Sequence, residues 1–255
     1  MNNIRVAILG ATGRTGSLVT SSAAEDPHFV ISGALVSPQS KRLGQRVDGV
    51  GEDTVCYTSD LPSALKSGDV AIDFSSPSLS AEVVKSCVEF GIPLLMATTG
   101  QDDVTHQLFE KAALKIPLLI APNTSLAVLA LQEAALSAQK ILGQSYDTEI
   151  FEVHHKHKKD SPSGTALSLA RALSRGEMTL IQHRDGKRQD GELGITSARG
   201  GDVCGDHTIF FFGEGERLEL TQRASSRSVF AKGALTLAKR IISRSPGLYT
   251  PRDLW

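Results

Sequence analysis

A run of basic side chains followed by a helix start carries the strongest chemical signal in the chain. Glu149 to Val153 resemble a half-buried strand, because charged and apolar residues alternate there. Six histidines and lysines then follow without a break, from His154 to Lys159. Imidazole and ammonium groups both exchange protons near neutral pH when their surroundings favour it. We therefore predict that His154 and Lys158 handle protons in a reaction.

The residues after this run predict an anion site. Ser161 is suited to cap a helix and Pro162 to occupy its first position. Gly164 falls in that first turn, where glycine weakens a helix by roughly 0.5–1 kcal/mol relative to alanine. We interpret its presence as room for a ligand that approaches the backbone. The N–H groups of Ser163, Gly164 and Thr165 are expected to bind an anion, so the stretch suits a small molecule that bears a carboxylate.

Two other interpretations of the basic run stay open. Lysine and histidine runs are often an ordinary solvated surface. A metal site is the second, since His154, His155 and His157 are close in sequence. However, adjacent strand residues point to opposite faces, and the acidic and cysteine residues are not spaced to complete such a site. We therefore predict no metal.

The same stretch resembles the signature of the 4-hydroxy-tetrahydrodipicolinate reductases (dihydrodipicolinate reductases) of lysine biosynthesis. Every fixed position of that signature is filled, by Glu149, Ile150, Glu152, His154, Lys158, Asp160, Pro162, Ser163, Gly164, Thr165 and Ala166. The resemblance implies a catalytic pair, His154 and Lys158, and substrate contacts from His155, Gly164 and Thr165. The implied reaction is NAD(P)H-dependent reduction of 4-hydroxy-tetrahydrodipicolinate to tetrahydrodipicolinate with loss of water.

The first half of the chain predicts a dinucleotide-binding domain. Ile4 to Leu9 is typical of a buried parallel strand. A glycine-rich turn, Gly10 to Gly16, follows at once, and Ser17 to Ala24 can form a helix. Strand, turn and helix in this order indicate a pyrophosphate site at the helix start, although a plain structural turn is the alternative. The family resembled has the same G-x-x-G-x-x-G spacing, commonly with Met at the position of Thr15.

Strands and helices then alternate, which predicts an α/β fold with a doubly wound parallel sheet. Ligands of such sheets bind at the carboxyl ends of the strands. The predicted cofactor contacts lie at such ends: Gly10, Ala11, Thr12, Gly13, Arg14, Thr15, Ser37, Ala97, Thr98, Thr99, Ala121, Pro122, Asn123 and Thr124. Ala97 stands where the family usually has glycine, and the segment Pro122 to Thr124 departs mildly from the family's version.

The residues at the end of the second predicted strand, Phe29 to Val36, are expected to set the preference between NADH and NADPH. An acid near its end normally holds the ribose of NAD, and none is present there. Lys41 and Arg42 follow and can meet a 2′-phosphate, or they are ordinary surface cations. We expect both NADPH and NADH to serve, with a tilt toward NADPH. A preference for NADH would point to an acid from elsewhere, such as Glu52-Asp53.

The second half predicts an α+β domain for substrate binding and oligomerisation. A helix from Ser125 to Leu142 leads to the strand of the signature, a polar loop spans Gly176 to Gly191, and a hairpin turns at Glu214-Gly215. Neighbouring strands of this kind form a mixed or antiparallel sheet. Its apolar open face predicts a homo-oligomer, a tetramer by resemblance. We place one domain at 1–124 plus 232–255 and the other at 125–231, with a short tail from Leu248 to Trp255.

Composition narrows the class of protein. The 255 residues include 40% hydrophobic and 22% charged side chains, with a net charge of −1. This balance gives no electrostatic case for nucleic acid or an anionic membrane. Three scattered cysteines and no apolar run near ~20 residues lead us to expect a cytoplasmic protein. Three alternatives remain: another NAD(P)-dependent amino-acid dehydrogenase, a cofactor-sensing protein without turnover, and a metal-dependent hydrolase.

Overall fold

A computed structural model describes residues 3–47, 55–174, 178–182 and 184–255. The two acids that could reach the ribose of NADH, Glu52 and Asp53, lie outside these residues. Positions 176, 177 and 183 of the predicted loop also lie outside them. The chain divides into two compact units, Met1–Ser125 with Ser228–Trp255, and Leu126–Arg227. Within the described residues, no helix has the length and apolar character needed to cross a membrane.

Strands and helices alternate through most of the first unit, whereas strands follow one another directly in much of the second. The strands are β1 Ile4–Leu9, β2 Phe29–Leu35, β3 Tyr57–Thr58, β4 Val70–Asp73, β5 Leu94–Met96, β6 Pro117–Ile120, β7 Asp147–His154, β8 Thr179–Ile181, β9 Glu192–Arg199, β10 Asp206–Phe212, β11 Arg217–Arg223 and β12 Gly247–Tyr249. The α-helices are α1 Gly16–Glu25, α2 Leu61–Leu65, α3 Ser80–Phe90, α4 Asp103–Ala113, α5 Leu126–Leu142, α6 Gly164–Ser174 and α7 Ser228–Ile241.

The first unit contains a parallel sheet, which in the described part of the chain has the strand order β3-β2-β1-β4-β5-β6-β12. Leu9 pairs with both Leu35 and Asp73, so the carboxyl ends of the central strands stand in line. The predicted doubly wound sheet is confirmed. The tail predicted at Leu248 to Trp255 is wrong in part, because β12 pairs with Pro117 to Leu119 and extends the sheet.

The core of this unit explains why its strands read as almost continuous apolar runs. Val6 to Leu9 and Leu94 to Met96 are completely buried, because helices cover both faces of a parallel sheet. Each large aliphatic side chain that is removed from water in this way stabilises the fold by about 1.5–3 kcal/mol. The carboxyl ends of β1, β4, β5 and β6 are therefore held on a rigid platform.

The second unit contains a mixed sheet of the order β11-β10-β7-β9-β8 within the described residues. Strand β10 runs antiparallel to β7 and β11, whereas β7 and β8 run parallel to β9. This confirms the predicted mixed sheet. The polar loop predicted at Gly176 to Gly191 is wrong in part, since it contains β8. A strand of three residues is too short to produce a recognisable alternation in sequence.

The two faces of the second sheet differ. Helices α5 and α6 cover one face, around a core that includes Leu131, Ile150, Leu169 and Phe211. The opposite face is only partly covered by its own unit. Phe151 and Phe212 keep 37% and 39% of their surface exposed there, and the rings of Phe210 and Phe212 stack 5.4 Å apart.

Candidate active site

The glycine-rich turn after β1 is fixed by close backbone contacts. Gly10 has a φ of +78°, and a Cβ there would lie 2.5 Å from the carbonyl oxygen of Phe74. A Cβ on Gly16 would lie 2.0 Å from the oxygen of Gly10. The N–H of Gly13 donates to that same oxygen at 2.9 Å. Positions 10 and 16 therefore accept only glycine. The close contacts fix one backbone conformation for the turn that leads into α1.

The predicted cofactor contacts are arranged along this edge of the sheet, but with unequal exposure. Thr12, Gly13, Arg14, Ser37, Thr99 and Pro122 are exposed, Gly10, Thr15, Thr98 and Asn123 are half-buried, and Ala11, Ala97, Ala121 and Thr124 are buried. The Thr124 hydroxyl donates to the oxygen of Phe230 at 2.7 Å. The buried members can therefore offer a ligand little beyond their backbone.

The end of β2 holds the residues expected to distinguish the two cofactors. Ser37 is exposed, and its hydroxyl donates to Oε1 of Gln39 at 2.6 Å. The guanidinium of Arg42 lies 5.0 Å from the centroid of the Tyr57 ring, a cation–π distance. Lys41 is exposed. Both predicted cations thus lie downstream of β2, and Arg42 has a fixed aromatic neighbour.

Asp73 is a buried carboxyl at this edge to which sequence reasoning gave no role. It is completely buried, and Oδ1 accepts the N–H of Ser75 at 2.9 Å. Its backbone oxygen accepts the N–H groups of Ala97 and Thr98, both at 3.0 Å. Burial raises the pKa of Asp73, and the hydrogen bond from Ser75 only partly opposes this. An acid at the end of an apolar strand was the signal available in the sequence.

The centre of the second unit is the carboxylate of Glu152, which is completely buried. Oε1 accepts the N–H of Ser163 at 2.9 Å and the Ser197 hydroxyl at 2.7 Å. The guanidinium of Arg199 donates to the same oxygen at 3.1 Å. Oε2 lies 3.2 Å from Nδ1 of His154. The strand register brings these groups together, because Ser197 and Arg199 of β9 pair with Glu152 and His154 of β7.

The surroundings keep Glu152 ionised. Burial alone would raise the pKa of this carboxyl. The imidazole of His154, 3.2 Å away, and the hydrogen bonds from Ser163 and Ser197 outweigh burial and hold the pKa of Glu152 far below its usual range. A buried negative charge therefore faces the imidazole of His154, which is itself only 8% exposed.

His207 of β10 completes the cluster from the other side. Its ring lies 5.2 Å from the ring of His154 in an edge-to-face arrangement, and its Nε2 is 3.8 Å from Oε2 of Glu152. Burial, followed by the proximity of His154, lowers the pKa of His207 to about 4. His207 is thus neutral near pH 7. The sequence predicts no role for Glu152, Arg199 or His207, although the residue at each of these positions matches the pattern of the family.

The basic loop is structured by local pairs. The ammonium of Lys158 lies 2.8 Å from both carboxylate oxygens of Asp160. Nε2 of His155 lies 3.4 Å from the guanidinium of Arg227. Burial, and then the charge of Arg227, lowers the pKa of His155. His155 and Arg227 therefore present two nitrogen-bearing groups side by side.

The start of α6 differs from the prediction. The helix begins at Gly164, and the hydroxyl of Ser163 caps it by accepting the N–H of Ala166 at 3.1 Å. Ser161 and Pro162 lie outside it. The N–H of Ser163 is already donated to Oε1 of Glu152 at 2.9 Å, so this group is not available to the predicted anion site. A Cβ on Gly164 would meet no atom of the described residues within 4 Å, so there is space beside this backbone.

A metal at the three neighbouring histidines is not what the geometry favours. In the part of the chain that the structure describes, the one group with suitable spacing is Glu152, His154 and His207, whose ligand atoms lie within 4.8 Å of one another. The guanidinium of Arg199 already donates to Glu152 at 3.1 Å. Its positive charge opposes a second cation on this carboxylate.

A parallel sheet in the order β3-β2-β1-β4-β5-β6, with a glycine-rich turn after its first strand, defines a dinucleotide-binding fold. The second unit adds a buried carboxylate–histidine cluster, and the chain therefore has the organisation of a two-domain NAD(P)-dependent oxidoreductase. The family model "Dihydrodipicolinate reductase, N-terminus" matches residues 4–124, and "Dihydrodipicolinate reductase, C-terminus" matches residues 127–254. The chain belongs to the dihydrodipicolinate reductase family, as its signature predicts.

Named relatives and solved structures agree with this family. A 4-hydroxy-tetrahydrodipicolinate reductase of Thiobacillus denitrificans is 39% identical, over 99% of this chain and 98% of the relative. One from Methanopyrus kandleri is 41% identical, over 98% and 96%. The structure of a dipicolinate-bound dihydrodipicolinate reductase from Paenisporosarcina sp. TG-14 aligns with a TM-score of 0.75 at 25% identity, covering 97% of each chain. A probable dehydrogenase from Thermotoga maritima, 15% identical with a TM-score of 0.67, shares the fold.

Proposed function

We propose that the protein reduces 4-hydroxy-tetrahydrodipicolinate to tetrahydrodipicolinate, with NAD(P)H as the reductant, in lysine and diaminopimelate biosynthesis. A hydride and a proton are added and water leaves. The observation that carries the proposal is the buried Glu152–His154 pair within the signature of a family that matches both halves of the chain.

The first unit is suited to the nicotinamide cofactor. Any Cβ on Gly10 or Gly16 would collide with backbone, so the turn keeps a shape that lets its exposed part, Thr12 to Arg14, approach a pyrophosphate. Ser37, with Lys41 or Arg42, would meet the ribose end. When bound, the cofactor supplies the hydride. We propose that both NADPH and NADH are accepted, with NADPH preferred.

His154 is the proposed proton donor. Hydride addition to an electron-poor ring carbon leaves negative charge on the conjugated nitrogen system, which must be protonated. Nδ1 of His154 faces Glu152, so Nε2 is the atom that delivers the proton. A Cβ on Gly205 would lie 3.0 Å from Nε2, and the absence of a side chain there leaves this nitrogen room for a ligand. Lys158 supports the step through its positive charge.

The start of α6 is the proposed carboxylate site for a dicarboxylate substrate. The N–H groups of Gly164 and Thr165 lie in the first turn of an eleven-residue helix, where the helix dipole favours negative charge. His155, beside Arg227, adds a second polar contact. Dipicolinate, the molecule bound in the similar solved structure, is also a dicarboxylate.

The partly covered face of the second sheet is the proposed subunit interface. It carries Phe151, Phe210 and Phe212, two of which keep more than a third of their surface exposed. Burial of such a patch against a second copy is favourable at about 25 cal/mol per Å². We propose a homo-oligomer, a tetramer by its resemblance to the family, which sedimentation velocity would test.

The activity is tested by following oxidation of NADPH and of NADH in the presence of freshly generated substrate. We expect substrate-dependent oxidation with either cofactor, and the rate should survive EDTA. A control without substrate measures background oxidation. Binding of NADPH without turnover would instead support a cofactor sensor. Activity only on other amino-acid precursors would support a different dehydrogenase, and loss of activity with EDTA would support a metal-dependent reaction.

A further inference from the structure

We propose that Glu152 is a positioning residue with two tasks, which are to fix the ring of His154 and to hold the start of α6. The inference rests on the proposed function, because it assigns the source of the orientation of the proton donor. It also explains why a carboxylate precedes the histidine by two residues and the helix-capping Ser163 by eleven. One buried side chain would then align the proton donor with the carboxylate site.

The two oxygens of Glu152 divide these tasks. Oε2 lies 3.2 Å from Nδ1 of His154. Oε1 accepts the N–H of Ser163, the residue that caps α6, at 2.9 Å. Ser197 and Arg199 donate to Oε1 at 2.7 and 3.1 Å. Because Oε1 has three donors, the carboxylate cannot rotate without breaking several bonds, and Oε2 stays aimed at His154.

This arrangement sets which nitrogen of His154 carries the transferable proton. A carboxylate oxygen 3.2 Å from Nδ1 favours, once the proton has left, the tautomer with hydrogen on Nδ1. The proton is therefore released from Nε2. The charged or titratable groups that face this ring are Glu152 of its own strand, His207 of β10, Arg199 of β9 and the adjacent His155.

His207 supports the pairing by remaining uncharged. Its Nε2 lies 3.8 Å from Oε2 of Glu152 and 3.4 Å from the hydroxyl of Ser163. A second imidazolium at this place would compete for Oε2 and repel a protonated His154. Burial of His207 in the edge-to-face contact prevents this.

Glu152→Gln is the informative variant, because it separates the two tasks. The amide oxygen can still accept from Ser163, Ser197 and Arg199, whereas the amide NH₂ replaces the acceptor at Nδ1 of His154. We expect kcat to fall by about 10²-fold, the range of general acid catalysis, while KM for the substrate changes little.

Glu149→Gln is the matched control. Glu149 lies on the same strand, faces the other side of the sheet and pairs with Arg184 at 2.6 Å. This variant should keep the kcat of the parent. Ser197→Ala is the second test variant, because it removes one bond that orients Glu152 and leaves the carboxylate in place. It should lower kcat several-fold in the same direction, and it decides the question if Glu152→Gln does not fold.

A loss of kcat with little change in KM supports the inference. It is overturned if folded Glu152→Gln, or Ser197→Ala in its place, retains parental kcat. An increase in KM with unchanged kcat also overturns it, because Glu152 would then act on the helix start alone. If the parent enzyme fails to oxidise NADPH with this substrate, the proposed function fails instead, and the two failures are therefore distinguishable.

Discussion

Gly10→Ala tests the glycine-rich turn, and the structure provides a matched control. Gly10 and Gly44 have the same φ of +78°. A Cβ on Gly10 would lie 2.5 Å from Phe74 O and 2.9 Å from Ser75 Cα, whereas a Cβ on Gly44 would meet no described atom within 4 Å. Both substitutions incur the left-handed backbone cost of about 1–2 kcal/mol. Only Gly10→Ala adds the collision, so the difference between them isolates it.

The expected magnitude follows from these two contributions. Forcing an extra carbon into a packed site costs about 1–3 kcal/mol, so Gly10→Ala should lose about 2–5 kcal/mol in all, against about 1–2 kcal/mol for Gly44→Ala. At about 2–4 °C per kcal/mol for a chain of this size, the melting temperature of Gly10→Ala should be about 2–12 °C lower than that of Gly44→Ala. Displacement of the turn should also weaken NADH binding by about tenfold or more, since small misplacements are costly.

The assay is thermal unfolding of the two variants with an NADH titration of each at a temperature where both are folded. NADH is the suitable ligand, because it lacks the 2′-phosphate that Lys41 and Arg42, close to Gly44, are proposed to meet. Equal melting temperatures and equal NADH affinities in the two variants would refute the reasoning. The turn would then have room that the structure does not show.

Three further predictions concern the other parts of the site. Gly164→Ala and Thr165→Val should raise KM for the substrate and leave the Kd of NADPH unchanged, because they alter the proposed carboxylate site; a fall in cofactor affinity alone would mean that the ligands are misplaced. The double variant Lys41→Ala, Arg42→Ala should lower the NADPH-to-NADH preference, measured as a ratio of kcat/KM; an unchanged ratio would assign the preference to the backbone and Ser37. Asp73→Asn should raise the melting temperature at neutral pH, because the raised pKa of Asp73 makes its ionised form costly in the folded protein. This gain should shrink as the pH falls toward about 4, where the carboxyl becomes protonated in both states. A gain in melting temperature that does not depend on pH would contradict this.

The sequence was sufficient for the fold class because its signals are local. Continuous apolar strands such as Ile4 to Leu9 and the alternation of strands with helices predict a parallel sheet without knowledge of any contact. The hairpin turn at Glu214-Gly215 does the same for the mixed sheet. Short edge strands were missed, since β8 and β12 have three residues each, and their pairing depends on neighbours that are distant in sequence.

The carboxylate–histidine cluster required the structure. Glu152, Ser197 and His207 come from three strands, and only their register places them around His154. A glutamate in a half-buried strand gives no indication that it faces inward. The helix start was also predicted two residues early, because Ser161-Pro162 and Ser163-Gly164 are both plausible openings and the sequence does not show which serine reaches the N–H of Ala166.

The central claim is that His154 delivers the proton of the reduction and that the charge of Lys158 supports this step. Steady-state turnover of His154→Gln and Lys158→Met, each beside its exposed neighbour variant His157→Gln or Lys159→Met, tests it most directly. We expect kcat/KM to fall by ~10²-fold or more in the first pair, with NADPH affinity and folding preserved, and to stay within about twofold in the control pair, since surface substitutions change little. Near-parental turnover in both His154→Gln and Lys158→Met would contradict the account.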